Sequence, residues 1–179
     1  MSVREIRLFG DPILVTPSSE ILDFASASGL IQDLIDTTSL SGRAGVAATQ
    51  IGVGLSAFAY NIEGEIGYLI NPKITELSGE LIPMEEGCLS VPGLWHPAKR
   101  HTFARASGFL LDGTAIEISG EGLMAQALQH EIDHPAGILY LDRLEKQERK
   151  LALKTLRDQA GLTRKPKIRR TQEPTPAKT

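Results

Sequence analysis

A short helical segment near residue 130, ended by a proline, most constrains how this chain can fold. Residues 129–135 read QHEIDHP, so His130 and His134 stand four positions apart and Glu131 follows the first histidine. An α-helix turns once every ~3.6 residues, so both imidazoles would project from one face. Pro135 cannot continue a helix, which predicts that the helix ends at the second histidine.

Two histidines on one helical face can bind one metal ion, and an adjacent glutamate can act as a general base. This His-Glu-x-x-His pattern is typical of metal-dependent hydrolases. A catalytic metal site commonly uses three protein ligands and leaves one position open. The candidates for the third ligand are Cys88, His96 and His101. The residues alone leave this choice open, and they also leave open that the histidines are merely solvent-exposed.

Strands occupy the middle of the chain and helices flank them. The predicted elements are an amphipathic helix within 20–40, strands within 55–77 and 102–119, a helix from about 121, and a last helix over 144–160 that ends at Gly161. Turns are predicted at Glu63-Gly64 and, as a two-residue hairpin, at Asp112-Gly113. Strands in the middle with helices before and after them indicate an α+β fold.

The last part of the chain differs in composition from the rest. Residues 161–179 contain six basic residues, one acidic residue and three prolines, with almost no apolar side chains. Such a segment is expected to be a disordered basic tail that follows a folded domain over 1–160. It could bind RNA or another anionic surface, or remain solvated without a partner.

Two sequence features bear on cellular location. No apolar run approaches the ~20 residues of a membrane helix, and the first residues lack the apolar core of a secretory signal. We therefore expect a cytoplasmic protein without membrane contact. The chain has one cysteine, Cys88, which cannot form an intrachain disulfide. It is a buried apolar residue, a nucleophile or a metal ligand.

Three motifs, in this order along the chain, are similar to those of one enzyme family. They are RAGVAATQ at 43–50, EGCLS at 86–90 and QHEIDH at 129–134. In sequence and spacing they resemble the peptide deformylases, and the resemblance extends over about residues 3–150. It implies antiparallel β-sheets packed around a central metal-bearing helix, with an N-terminal and a C-terminal helix.

The resemblance also implies a reaction and a metal. The reaction is hydrolysis of the formyl group from N-formyl-methionine at the start of new proteins, which releases formate. Cys88, His130 and His134 are the implied metal ligands, with water in the fourth position. The ion in this family is usually Fe²⁺, although Zn²⁺, Ni²⁺ or Co²⁺ can take its place, and one ion is expected per chain.

The remaining site residues are assigned by the same resemblance. Glu131 would transfer protons, while the Gln50 side chain and the Leu89 backbone N–H would stabilise the oxyanion. The residues implied in substrate binding are Gly45, through its backbone, and Ala44, Glu86, Leu123 and Ala127 around the methionine side chain. For Leu123 and Ala127, simple core packing is the alternative.

The chain departs from the family pattern at two places. Arg43 stands where the first motif usually begins with glycine, and it could project into the substrate groove. Pro135-Ala136 replaces a common Leu-Asn or Leu-Asp pair, which removes a polar side chain near the metal helix. We nevertheless expect an active, monomeric enzyme.

Two alternatives to a deformylase remain at this level. One is a different metallohydrolase, such as a protease that uses the same His-Glu-x-x-His chemistry. The other is a non-catalytic or weakly active paralogue that binds nascent chains, or the ribosome through its basic end.

Overall fold

A five-stranded antiparallel sheet forms the framework of the computed structural model, which describes residues 2–159. Three α-helices pack on this framework within the described residues. The strands are β1 Gly45–Ala47, β2 Ala57–Ile62, β3 Glu65–Cys88, β4 Val91–Phe109 and β5 Ala115–Glu121. The helices are α1 Ser28–Thr38, α2 Gly122–Asp133 and α3 Lys146–Gln159.

Each strand of the sheet pairs with the strand before it, in the order β1-β2-β3-β4-β5. The predicted α+β class is confirmed, with one continuous antiparallel sheet bent around α2. The predicted turn at Glu63-Gly64 is also confirmed, since Ile62 pairs with Glu65 across it. Both turn residues have positive φ, 55° and 89°, as a tight two-residue hairpin of this twist requires.

Strands β3 and β4 are much longer than the sequence indicated. The prediction ended the strand at 77, whereas β3 continues to Cys88 and turns at Leu89-Ser90 into β4. Glycine and proline within this stretch obscure its strand character. The pairing of β3 with β4 shifts register at four places, one of them between Ser78 and Leu81 beside Gly79, whose φ is 73°. Such bulges bend a strand, and the bend lets one sheet wrap around a helix.

The Asp112-Gly113 hairpin forms, but its predicted two-residue length is wrong. The N–H of Leu110 donates to the carbonyl of Thr114 at 2.9 Å, so the loop between them has three residues. The Asp112 side chain accepts the N–H of Thr114 at 2.9 Å and favours this wider turn.

Helix α2 is held closely against the sheet. Small side chains on β4, Ala104 and Ala106, pack in one buried cluster with Ala125 and Leu128 of the helix. The Gln129 side chain accepts the N–H of His101 at 3.0 Å and donates to its carbonyl at 2.9 Å. The helix therefore has both apolar and hydrogen-bonded contacts with β4, immediately before its two histidines.

The predicted end of α2 is confirmed. The α-helix stops at Asp133, and His134–Ala136 continue as a single 3₁₀ turn that Pro135 can enter. The predicted third helix is confirmed as α3. Gly161 and the basic tail over 161–179 lie outside the described residues. Within residues 2–159, no helix is long and apolar enough to cross a membrane.

We expect Asn71→Ala to destabilise the fold more than a matched asparagine change. Asn71 is buried with a φ of 49°, and its side chain makes two hydrogen bonds of 2.8 Å to the backbone of Ile21. Removing them leaves buried backbone groups unpaired at a strained position, at a cost of ~2–4 kcal/mol. Asn61→Ala, at the end of β2, should change the free energy of unfolding by less than ~0.5 kcal/mol. Denaturant unfolding measures both, and equal effects would contradict this account of Asn71.

Candidate metal centre

Three metal-ligating side chains converge where β3 meets α2. Cys88 is the last residue of β3, while His130 and His134 lie at the end of α2. His134 Nε2 is 3.2 Å from His130 Nε2 and 3.5 Å from Cys88 Sγ. All three side chains are buried, and their donor atoms lie within 4.8 Å of one another.

These separations fit a tetrahedral metal ion. Metal–nitrogen bonds of ~2.0–2.1 Å and metal–sulfur bonds of ~2.3 Å place neighbouring ligand atoms ~3.3–3.7 Å apart. Burial and the neighbouring His130 hold the pKa of His134 well below its usual range, whereas, against the effect of burial, Cys88 and Glu86 raise the pKa of His130. A thiolate and two imidazoles are ordinary ligands of a tetrahedral ion. The geometry and chemistry of the donor set therefore suit a divalent metal ion.

The other two candidate ligands are placed elsewhere. His96 Nδ1 is 2.9 Å from a carboxylate oxygen of Glu148 on α3. His101 lies on β4, where its backbone is bonded to Gln129. Among residues 2–159, the group that could hold a metal consists of Cys88, His130 and His134.

Glu86 orients the first histidine. One carboxylate oxygen of Glu86 lies 2.6 Å from His130 Nδ1, which directs Nε2 toward the other donors. Arg100 donates two hydrogen bonds to the same carboxylate, at 2.7 Å and 2.9 Å. Burial alone would raise the pKa of Glu86, but the bonds from Arg100 and His130 lower it to about 2. The carboxylate is thus ionised and fully engaged, which favours a role in holding His130 over direct contact with substrate.

Glu131 lies beside the donor group with one oxygen unpaired. Its side chain is buried, and its Oε2 has no hydrogen-bond partner within residues 2–159. Burial raises the pKa of Glu131 to about 7, and the charge of Glu86 adds to the rise, whereas His130 and Arg100 oppose it. The carboxyl group packs against Gly45, where an added Cβ would lie 2.6 Å from the carboxyl carbon of Glu131.

The amide of Gln50 is fixed with its NH₂ group toward the cysteine. Its oxygen accepts the N–H of Ala47 at 2.9 Å. Its nitrogen lies 3.4 Å from Cys88 Sγ and 3.3 Å from Ser90 Oγ. A buried amide held at both ends presents its donors in a fixed direction.

A cleft of about 350 Å³ opens over these residues. Its walls include Leu89, the candidate oxyanion donor, and the candidate substrate contacts Ala44, Gly45, Glu86, Leu123 and Ala127. Leu123 is 50% exposed, so it lines the cleft and does not pack in the core. Trp95, the only tryptophan of the sequence, lies at the rim and is 69% exposed.

Comparison with known proteins identifies the family. The sequence profile described as polypeptide deformylase matches residues 3–150. A peptide deformylase of Acidothermus cellulolyticus is 42% identical over 179 residues, covering 99% of each chain. The crystal structure of a peptide deformylase from Legionella pneumophila has a TM-score of 0.81 and 37% identity, covering 92% of this chain and 100% of that one. The peptide deformylase from Thermus thermophilus has a TM-score of 0.83 and 34% identity, covering 89% and 96% of the two chains.

The chain belongs to the peptide deformylase family. These are metal-dependent enzymes, and the buried group of Cys88, His130 and His134 agrees with that property. Membership excludes the alternative of a His-Glu-x-x-His protease. The comparisons give no support to the alternative of a non-catalytic paralogue.

The first departure from the deformylase pattern, at Arg43, is accommodated without backbone strain. Arg43 is not among the non-glycine residues with positive φ in the described part of the chain. Arg43 borders the cleft, and its guanidinium donates to the carbonyl of Thr37 at 2.9 Å. The charge therefore stabilises the carboxyl end of α1, and a role for Arg43 in the substrate groove stays a prediction.

The second departure is the pair Pro135-Ala136, which follows the second histidine. Here Pro135 is buried, and its carbonyl accepts the N–H of Ser18 at 2.8 Å, so the turn is tied to the N-terminal segment. His134 Nδ1 is buried and has no hydrogen-bond partner within residues 2–159. The two histidines thus differ at Nδ1, since a carboxylate binds this atom in His130 but nothing within residues 2–159 binds it in His134.

Sequence reasoning missed Arg100 and Asp133 as residues that support the site. Arg100 donates to Asp133 at 2.8 Å as well as to Glu86, and Arg143 donates to both oxygens of Asp133, at 2.6 Å and 3.0 Å. The pairing depends on the register between β3 and β4, which local pattern does not reveal. Arg100 also lies in none of the three motifs, so no signal in the sequence marked it.

We expect Glu86→Gln to weaken metal binding by ~10–100-fold, as is usual when the partner of a metal-ligating histidine is altered. The amide keeps the size of the side chain but loses the charge that Arg100 and His130 require. Glu85→Gln is the matched control, since Glu85 precedes it on β3 and is exposed. Titration of the metal-free proteins with Co²⁺, followed by visible absorption, gives both affinities. Equal affinities would show that Glu86 does not hold His130.

Proposed function

We propose that this chain removes the formyl group from N-formyl-methionine at the start of newly made proteins and releases formate. The observation that carries the proposal is a buried thiol and two buried imidazoles beside Glu131, with Cys88, His130 and Glu131 lining one open cleft. Membership of the deformylase family supports the same reaction.

Cys88, His130 and His134 would hold one metal ion. We assign it as Fe²⁺, with Zn²⁺, Ni²⁺ or Co²⁺ able to substitute, because a thiolate and two imidazoles suit each of them. Such an ion, when bound, supplies a Lewis acid that polarises the formyl oxygen and lowers the pKa of water. The choice of Fe²⁺ rests on the resemblance to the family and is tested by metal analysis after purification without oxygen.

Glu131 is the proton carrier in this proposal. A water molecule attacks the formyl carbon, and the carboxylate of Glu131 accepts its proton. When the C–N bond breaks, the same group returns a proton to the departing α-amine, so that formate and a free amine leave. A pKa of about 7, raised by burial, lets one carboxyl group perform both transfers near neutral pH.

Gln50 and Leu89 would stabilise the charge that develops on the formyl oxygen. The NH₂ group of Gln50 points to the cysteine at the cleft floor, and Leu89 follows that cysteine in the chain. A prealigned donor of this kind lowers the barrier by ~3–4 kcal/mol. The amide needs no reorganisation during the reaction, because the N–H of Ala47 already fixes its oxygen.

An extended peptide would bind along the free edge of β1. Asn61 N–H donates to the carbonyl of Ala44, and hydrogen bonds to a neighbouring strand alternate along an antiparallel strand. The N–H and C=O of Gly45 therefore point away from β2, toward the cleft. A substrate backbone can pair with them as an added strand.

The methionine side chain would occupy the apolar part of the cleft. Ala127 and Leu123 come from successive turns of α2, and Ala44 lies on the β1 side. The exposed face of Leu123 gives a thioether side chain an apolar surface. Trp95 at the rim borders the path of the residues that follow methionine.

The remaining assignments are the protein's location and partners. We place it in the cytoplasm as a monomer, where N-formyl-methionyl nascent peptides are made. The six basic residues of 161–179 favour contact with ribosomal RNA as a further partner. Support for that contact comes from composition alone.

The test of the proposed function is formate release from a formyl-Met-Ala-Ser peptide by protein purified without oxygen. We expect the wild-type protein to release formate rapidly from the formylated peptide and none from the unformylated peptide. The Cys88→Ala variant should release no formate. Glu131→Ala should lose at least ~10³-fold in kcat while still binding one metal ion, because it removes the proton carrier but no metal donor. Turnover retained by Glu131→Ala would overturn its assignment. No release by metal-loaded wild type would overturn the function.

We also expect Gly45→Ala to lower kcat strongly, by ~10²-fold, through displacement of Glu131. The new methyl group would occupy the space of the Glu131 carboxyl group, and small misplacements of reacting groups have costs of this order. Gly54→Ala is the matched control, since a Cβ there meets nothing within 4 Å. Steady-state kinetics on the formylated peptide measures both variants. Unchanged kcat in Gly45→Ala would show that Glu131 tolerates the methyl group.

A further inference from the structure

A cluster of four charged side chains lies behind His130, on the side away from the cysteine. Arg100 occupies its centre, with two bonds to Glu86 at 2.7 Å and 2.9 Å and one to Asp133 at 2.8 Å. Arg143 binds both oxygens of Asp133, at 2.6 Å and 3.0 Å. The contacts therefore run from Arg143 through Asp133, Arg100 and Glu86 to His130.

The cluster is buried at one end and exposed at the other. Arg100, Glu86 and Asp133 are each more than nine-tenths buried, whereas the Arg143 side chain is 43% exposed. Two carboxylates face two guanidinium groups, so the cluster is neutral. Without Arg143 it would hold one uncompensated negative charge in a buried setting, which is strongly unfavourable.

A short backbone segment after α2 places Arg143 next to Asp133. Ile138 N–H donates to the carbonyl of Asp133 at 3.0 Å, which folds the chain back over the end of α2. A 3₁₀ turn over Tyr140–Arg143 follows, and Asp142 accepts the N–H of Leu139 at 3.2 Å to hold it. The turn thus places the guanidinium of Arg143 beside the side chain of Asp133, the last residue of α2.

We propose that Arg143 is a positioning residue for the metal ligand His130, acting through Asp133, Arg100 and Glu86. With Arg143 present, Asp133 has a cation of its own, and Arg100 can give two of its three bonds to Glu86. Without Arg143, the guanidinium of Arg100 moves toward Asp133, and its two hydrogen bonds to Glu86 weaken. The imidazole of His130 then loses its fixed direction. The inference rests on the proposed metal site.

Three variants test this role by metal binding, independently of catalysis. Arg143→Ala removes the contact, and Arg143→Lys keeps the charge but cannot bind both oxygens in the same way. Arg149→Ala is the matched control, because Arg149 makes a 2.8 Å bond to Asp142 with a similarly exposed side chain. Each metal-free protein is titrated with Co²⁺ without oxygen, at a temperature where circular dichroism shows all variants folded.

We expect Arg143→Ala to weaken Co²⁺ binding by ~10-fold or more and to speed metal loss to a chelator. Arg143→Lys should lie between it and wild type, and Arg149→Ala should stay within twofold of wild type. Wild-type affinity in Arg143→Ala, or an equal loss in Arg149→Ala, would overturn the inference. No Co²⁺ binding by wild type would instead overturn the proposed metal site itself.

A double variant separates positioning from general destabilisation. If Arg143 acts through Glu86, adding Arg143→Ala to Glu86→Gln should cause less than a threefold further loss of affinity. If it only stabilises the fold, the two losses should multiply. Multiplied losses would therefore refute the proposed route, while a small further loss would support it.

Discussion

The buried guanidinium of Arg100 joins the two elements that carry the metal-binding residues. It projects from β4 and binds Glu86 on β3 and Asp133 on α2. Cys88 lies two residues beyond Glu86, and His134 directly follows Asp133. A shift of α2 along the sheet would therefore alter the distances between thiol and imidazoles and break charged contacts in the interior. Such contacts are costly to leave unpaired, which makes the arrangement rigid.

The same close approach of α2 creates the chemistry of Glu131. The helix lies so near β1 that the Glu131 carboxyl group fills the space a side chain would need at Gly45. Excluding water there raises the pKa of Glu131 to about 7, whereas the pKa of Glu86, on the other side of His130, is held at about 2. Two glutamates on either side of one histidine thus differ in pKa, because Glu86 is hydrogen-bonded to Arg100 and His130 whereas burial dominates at Glu131.

Features that depend on local sequence pattern were predicted correctly. The helical pair of His130 and His134, the helix end before Pro135 and the turn at Glu63-Gly64 all follow from spacing or from the conformational limits of single residues. The selection of Cys88 as third ligand required the family resemblance, because spacing alone left His96 and His101 as candidates. The full length of β3 and the contacts of Arg100 could not be predicted, because they depend on pairing between segments far apart in the chain. The wider loop at Asp112 depends instead on a local hydrogen bond from Thr114, which the Asp-Gly pattern does not indicate.

The position of strand β1 bears on when the formyl group can be removed from a new protein. It is the edge of the sheet, only three residues long, and its open side faces a cleft. An exposed edge strand normally invites pairing with another protein, but a short edge inside a cleft admits only a single extended chain. If the N-terminal residues of a substrate protein already formed part of a sheet or a helix, they could not enter the cleft. The enzyme would thereby discriminate by folding state as well as by the formyl group, so each nascent chain would be processed before its first residues fold.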